Sequence, residues 1–235
     1  MAETLDRRFA EKLLATFDDP QQAPVHLLFN QWWRHAPESA KAKYLADFDA
    51  IPEQRAFLAA GHFAEPLDLD ALARLPEGSL GRCYREFIVA NGLEKNLAIG
   101  YRALHEVMRA RGALDGMPEP FQYAVLCGFQ IHDFLHVLTG YDSSRRGELA
   151  LQAFCLAQIR FPYFGMWLSV VTTRMTFLEP DVIQPAMDAI TAGWRAGRRV
   201  ANLQFGRWEE RVEQPLAALR RELRIPSEGL SAAAS

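Results

Sequence analysis

Residues 118–140 read PEPFQYAVLCGFQIHDFLHVLTG, and this stretch decides the fold. Pro118 and Pro120 suit the first turn of a helix, where no backbone N–H is needed, and Thr139-Gly140 supplies a stop. Between them the apolar residues recur at helical spacing rather than in the two-residue alternation of a strand. The same punctuation repeats outward. Leu80 to Ala90 stops at Asn91-Gly92, and Leu97 to Arg111 stops at Gly112. Downstream, a polar loop from Tyr141 to Gly147 leads into a helix from Glu148 to Arg160, ended by Pro162. Tyr163 to Leu178 is apolar and closes at Glu179-Pro180, and a last long segment, Asp181 to Arg224, is interrupted at Pro215. Strand signals are nearly absent. The expectation is an all-α, single-domain multi-helix bundle over residues 1–235 with a frayed tail at 226–235.

Composition narrows the function classes. In 235 residues, 49% are hydrophobic and 11% aromatic, enough apolar surface for one substantial core. With 26 basic and 29 acidic residues, a net charge of −3 gives no general attraction to nucleic acid or anionic lipid. Any membrane contact is therefore local. Cys83, Cys127 and Cys155 are odd in number and widely spaced, as in a reducing compartment, and Cys127 reads as a small core residue. Leu5, Phe9, Leu13 and Phe17 recur every four residues among charges, which describes an amphipathic structural helix rather than a signal peptide. The longest uncharged run, Phe161 to Thr173, is too short to span a bilayer.

The chemistry concentrates in His132-Asp133-Phe134-Leu135-His136, followed after eleven residues by Glu148. At about 100° per residue, His132, Asp133 and His136 fall within an arc of roughly 100°, with the imidazoles one turn apart. A loop through Gly140 and Gly147 lets the chain reverse and bring Glu148 from the other side. Chance places only roughly 0.15 His-x-x-x-His pairs in a chain with six histidines. Imidazole plus carboxylate without thiolate suits Zn²⁺, and also Fe²⁺, Mn²⁺ or Co²⁺, in an open rather than a closed structural site. With one carboxylate behind the ligands, a two-His-one-carboxylate set remains, compatible with a bound water or with oxygen chemistry. Asp133 stands where a zinc protease would carry its Glu, which argues against a protease. His26, His35, His62 and His105 have no matching carboxylate pattern and are assigned no role.

His-Asp-x-x-His, eleven residues and Glu resembles the signature of the Coq-four family of ubiquinone (coenzyme Q) biosynthesis proteins. Further stretches agree: Leu75-Pro76-Glu77-Gly78-Ser79-Leu80-Gly81-Arg82 with Tyr84 and Phe87, then His136-Val137-Leu138-Thr139-Gly140-Tyr141 and Gly147-Glu148-Leu149, then Trp208-Glu209, Pro215-Leu216 and Arg220. The similarity covers about residues 75–224. The resemblance implies that His132, Asp133, His136 and Glu148 are metal ligands and catalytic residues, with zinc as the family's metal. It also implies action on a polyprenylated 4-hydroxybenzoate-type precursor by oxidative decarboxylation at ring carbon 1, in company with other ubiquinone biosynthesis proteins. Where relatives often carry a basic residue before the first His, this chain has Gly128-Phe129-Gln130-Ile131. The absence of a mitochondrial extension fits a bacterial protein peripheral to the inner face of the cytoplasmic membrane, and a homodimer is compatible with the family. A competing reading from another class is a non-catalytic lipid-binding scaffold for the biosynthetic enzymes; a third is a metal hydrolase of a prenyl phosphate.

A polyprenyl tail needs a long apolar groove. Phe161, Tyr163, Phe164, Met166, Trp167, Leu168, Val170, Val171, Met175 and Phe177 supply candidate lining, although ordinary core explains the same pattern. Ala189, Gly193, Gly197 and Ala201 form a small-residue stripe suited to close helix packing or to an elongated ligand. Arg195, Arg198, Arg199, Arg207 and Arg211 put a basic side on the last long segment, read as a solvated face paired with Glu209, Glu210 and Glu213.

Overall fold

The computed structural model describes residues 6–19, 24–159 and 161–231. Helices α1 (Arg7–Asp18), α2 (Val25–Trp32), α3 (Glu38–Asp49), α4 (Pro52–Ala60) and α5 (Leu69–Ala73) precede α6 (Leu80–Ala90), α7 (Glu94–Leu97) and α8 (Tyr101–Ala110). Then follow α9 (Glu119–Thr139), α10 (Arg145–Ile159), α11 (Pro162–Leu178), α12 (Ile183–Gly197) and α13 (Leu216–Glu222). Short 3₁₀ turns at Pro180–Val182 and Trp208–Arg211 complete the described elements, which include no strand beyond a single bridge between Ser79 and Pro215. The all-α expectation holds.

Helix α9 is the axis of the molecule. Its first turn buries Phe121 completely against Trp33 at 5.0 Å and Phe48 at 4.8 Å between ring centres, so the N-terminal helices join the core through aromatic contacts. Its last turn ends on Gly140, whose φ of +81° places it in the left-handed region that favours glycine. Arg220 covers that end. Its guanidinium donates to the carbonyls of Leu138 at 3.1 Å and Val137 at 3.0 Å, a cation on the negative pole of the helix. The Leu230 N–H donates to the Thr139 carbonyl at 2.6 Å. The tail expected to fray from Pro226 is thus tied down to a buried Leu230; residues 232–235 lie outside the described ones.

The small-residue stripe serves helix packing. A Cβ on Gly193 would run into the Ala150 carbonyl, and one on Gly197 would reach within 3.1 Å of the Phe154 Cα, so α12 lies backbone to backbone on α10. Ala201 falls beyond α12. Two distant blocks also meet: Leu80 N–H donates to the Gln214 carbonyl, Gly81 N–H to Val212 and Leu216 N–H to Gly78, each at 2.8 Å. The segments around residues 78–81 and 212–216 therefore form one joint behind α6.

Four expectations are corrected. The helix expected from Leu97 starts at Tyr101, because Ile99-Gly100 is extended and separates it from the short α7. Gly147 is inside α10 rather than in the loop. The last long segment breaks at Arg198, well before Pro215, because Gln158 on α10 holds the following chain extended: it donates to the Ala201 carbonyl at 2.8 Å and accepts from Leu203 N–H at 3.0 Å. The basic residues consequently share no helix face. Arg207 pairs with Glu210 at 3.2 Å and Arg211 with Glu222, not Glu213. In α1, Phe9 is buried and Phe17 meets Phe177, as an amphipathic structural helix requires, while Leu5 lies outside the described residues. Among the described residues no helix is long and apolar enough to cross a membrane.

Candidate metal centre

Local sequence sets the α9–α10 turn. Gly140 ends α9, Asp142 accepts the Ser144 N–H at 3.1 Å, and the Ser144 hydroxyl caps α10 by accepting the Gly147 N–H at 3.2 Å. A side chain at Gly147 would collide with Asp142, which is why glycine stands there: it permits close approach rather than a hinge. The turn delivers Glu148 from the first turn of α10 to the face of α9 that carries His132 and His136.

There Glu148 Oε1 lies 3.1 Å from His136 Nε2, and Oε2 lies 3.4 Å from His132 Nε2. One ligand atom from each of the three residues lies within 4.8 Å of the others. Donors that share one ion at roughly 2.0–2.2 Å stand about 3.3–3.6 Å apart in a tetrahedron, close to the two Glu148 contacts, so the set fits a small divalent cation. His136 is buried, and its Nδ1 donates to the Tyr141 carbonyl at 2.9 Å. A carbonyl only accepts, so Nδ1 carries a proton and Nε2 is the ring nitrogen turned toward Glu148, 3.1 Å from Oε1. Phe87 stacks on the same ring at 5.1 Å and 20°.

Asp133 is not in this group. Its Oδ1 lies 3.4 Å from Nδ1 of His132, the ring nitrogen opposite the one facing Glu148. Of the four sequence candidates, the structure brings His132, His136 and Glu148 together and leaves Asp133 behind His132. The charges hold one another: burial works to lower the His132 pKa, but hydrogen bonding with Asp133 and Glu148 outweighs it and lifts the value to about 9. Burial would raise Glu148, yet its two histidine partners hold it down to about 2.

The three residues and Asp133 line a cavity of about 900 Å³ whose wall is mostly apolar. Of the ten residues expected as lining on α11 and just before it, Phe161, Tyr163, Phe164 and Trp167 reach it. Val170 and Met175 are instead buried in the core, and Phe177 is exposed. The rest of the wall comes from α9 and α10 and from residues whose sequence gives no sign of lining, including His26 and Asn30 on α2, Phe57 and Leu58 on α4, and Leu104 and Met108 on α8. Core and cavity lining use the same residue types, so only tertiary structure separates them.

A second histidine group corrects the reading of His62. Its Nε2 lies 2.6 Å from Glu209 Oε1, with Glu210 beside them, and its carbonyl accepts from the Tyr123 hydroxyl. The residues are 147 apart in the chain, beyond any spacing rule. His35 likewise faces Asp6 at 3.5 Å.

Comparisons with known proteins converge. Residues 119–228 match the family model described as Coenzyme Q (ubiquinone) biosynthesis protein Coq4. The chain is 33% identical over 161 residues to the mitochondrial ubiquinone biosynthesis protein COQ4 homologue of Rattus norvegicus, covering 68% of this chain and 55% of the relative. It is 32% identical over 168 residues to the mitochondrial COQ4 protein of Yarrowia lipolytica, covering 69% and 56%. The chain thus spans about half the length of the curated relatives it matches. A crystal structure of a protein from Nostoc punctiforme assigned to ubiquinone biosynthesis superposes with a TM-score of 0.70 over 94% of this chain and 98% of that one, at 23% identity, which shows a shared fold. With the His-Asp-x-x-His and Glu148 constellation assembled on that fold, the chain belongs to the Coq4 family of ubiquinone biosynthesis proteins.

Proposed function

We propose that this chain is a metal-dependent enzyme of ubiquinone biosynthesis that acts on a polyprenylated 4-hydroxybenzoate-type precursor by oxidative decarboxylation at ring carbon 1: the ring–carboxyl bond breaks with release of CO2, a ring–hydroxyl bond forms, and dioxygen is the two-electron oxidant. The observation that carries this reading is the convergence of His132, His136 and Glu148 on the wall of a large apolar cavity. Two imidazole nitrogens and a carboxylate fit zinc, the metal the family resemblance favours, and equally iron, manganese or cobalt. When bound, such a cation supplies Lewis acidity toward the oxygens of the ring head and, if redox-active, access to oxygen chemistry.

The chain's own residues do the rest. His132, His136 and Glu148 hold the cation, and Asp133 positions the His132 ring from behind. The Tyr141 carbonyl fixes the His136 tautomer. The aromatic wall, Phe161 and Trp167 included, receives an apolar tail and keeps water from the head. A tail-bearing precursor partitions into lipid, so we place the protein at the inner face of a bacterial cytoplasmic membrane, working with other ubiquinone biosynthesis proteins.

One observation favours a second reading. Among the described residues lining the cavity there is no lysine or arginine, so no guanidinium or ammonium group stands there to hold a ring carboxylate. A scaffold that presents the precursor to partner enzymes needs none. Single-turnover assays on a prenylated 4-hydroxybenzoate, with metal analysis under anaerobic conditions, separate the two. Oxygen-dependent loss of the carboxyl group that disappears in His136→Ala supports the enzyme. Tight binding and full metal content without turnover, alone and with the partner enzymes supplied, leave the scaffold.

A further inference from the structure

Buried amides at the end of α10 are satisfied within the protein. Gln158 bonds the backbone at Ala201 and Leu203, and Gln204 donates to the Cys155 sulfur at 3.3 Å and to the Gln158 oxygen at 3.4 Å. Gln152, on the same helix, differs. It is 4% exposed, lines the cavity, and its Oε1 meets no donor of the protein. Asn30 on α2 repeats the pattern: 4% exposed, on the same cavity wall, its Oδ1 without a protein donor. Gln54, Trp33 and His105 also hold buried polar atoms without a partner, but none of them lines that cavity.

An unmet buried acceptor destabilises a fold unless something beside it donates. Gln152 follows Glu148 by four residues, so the two occupy one face of α10 a single turn apart. The lining also lacks the guanidinium or ammonium groups that recognise phosphate. Unmet acceptors on a wall without guanidinium or ammonium groups call for a head that carries hydroxyl groups rather than phosphate.

We propose that Gln152, assisted by Asn30, is a specificity-determining residue whose amide oxygen accepts a hydrogen bond from a hydroxyl on the ring of a lipophilic hydroxyaromatic ligand, one helical turn from Glu148. This rests on reading the cavity as the seat of a prenylated hydroxyaromatic precursor and adds the group that orients its ring.

The test compares 2-farnesylphenol with its methyl ether, binding being followed by fluorescence of the metal-loaded full chain, in which Trp167 lines the cavity. The ether keeps the tail and ring and loses only the donor. Wild-type protein is expected to prefer the phenol by roughly tenfold, the effect of one hydrogen bond in a dry site. Gln152→Met should bring the phenol down to the affinity of the ether and leave the ether within about twofold. Gln152→Glu, which keeps an acceptor, should retain the preference. Equal weakening of both probes in Gln152→Met marks a packing role and overturns the proposal, as does an undiminished preference. Should Gln152→Met not fold, Asn30→Leu is read the same way. Failure of wild-type protein to bind either probe overturns the cavity reading itself, whereas metal content measured on the same samples reports separately on His132, His136 and Glu148.

Discussion

Two histidine–carboxylate groups adjoin α9, and they are alike in composition. His132, His136 and Glu148 form one; His62, Glu209 and Glu210 form the other. In the first, each imidazole has a second contact that fixes it from behind, the Tyr141 carbonyl for His136 and Asp133 for His132. The carboxylate sits between the two rings on the wall of a cavity large enough for a lipid-sized ligand. In the second, a single imidazole closes directly onto Glu209, and Glu210 is exposed and already paired with Arg207. The difference separates the proposed metal centre from a plain ion pair: residue types and proximity are common to both, and only the first group adds fixed ring orientation and an accessible chamber.

The largest expected effect is on metal content. His136→Ala and Glu148→Ala should each lower bound metal after dialysis from about one per chain to under a tenth, whereas His62→Ala and Glu209→Gln should leave it unchanged. Elemental analysis decides it, and equal losses from both groups would erase the contrast. Next, Asp133→Asn should weaken metal binding by about 10- to 100-fold with full occupancy regained at high metal, the behaviour of a positioning residue rather than a ligand. Competition against a chelating dye reads this directly. On stability the order reverses: His62→Ala strands the part-buried Glu209 carboxylate and should cost about 1–2 kcal/mol, a Tm drop of roughly 2–8 °C by calorimetry at unchanged metal content. Smallest of all, Glu210→Gln removes an exposed ion pair and should move stability by under about 1 kcal/mol. A large effect there would give the second group a role the geometry does not.

The fold and most of the first group were legible because their signals are local. Proline and glycine mark both ends of α9, and four- and sixteen-residue intervals carry His136 and Glu148 to His132. Asp133, expected beside them, stands behind His132 with Oδ1 3.4 Å from its Nδ1, because side chains at i and i+1 do not face each other. Elsewhere the deciding contacts are distant. Gln158 unwinds the chain after α12, Arg220 and Leu230 anchor the end of α9, and His62 finds Glu209 across 147 positions. None of these leaves a periodic trace. The cavity wall on α2, α4 and α8 was invisible for the same reason, since its residues read as core.

The glycine contacts of α12 have a consequence for how this protein can diversify. With Gly193 and Gly197 pressed on the backbone at Ala150 and Phe154, α10 can neither slide nor tilt without prising two main chains apart. The helix bearing Glu148 and Gln152 is therefore an anvil: a change in the size or shape of the cavity has to come from the opposite wall, by exchanging side chains on α2, α4, α8 and α11, while α10 keeps its register.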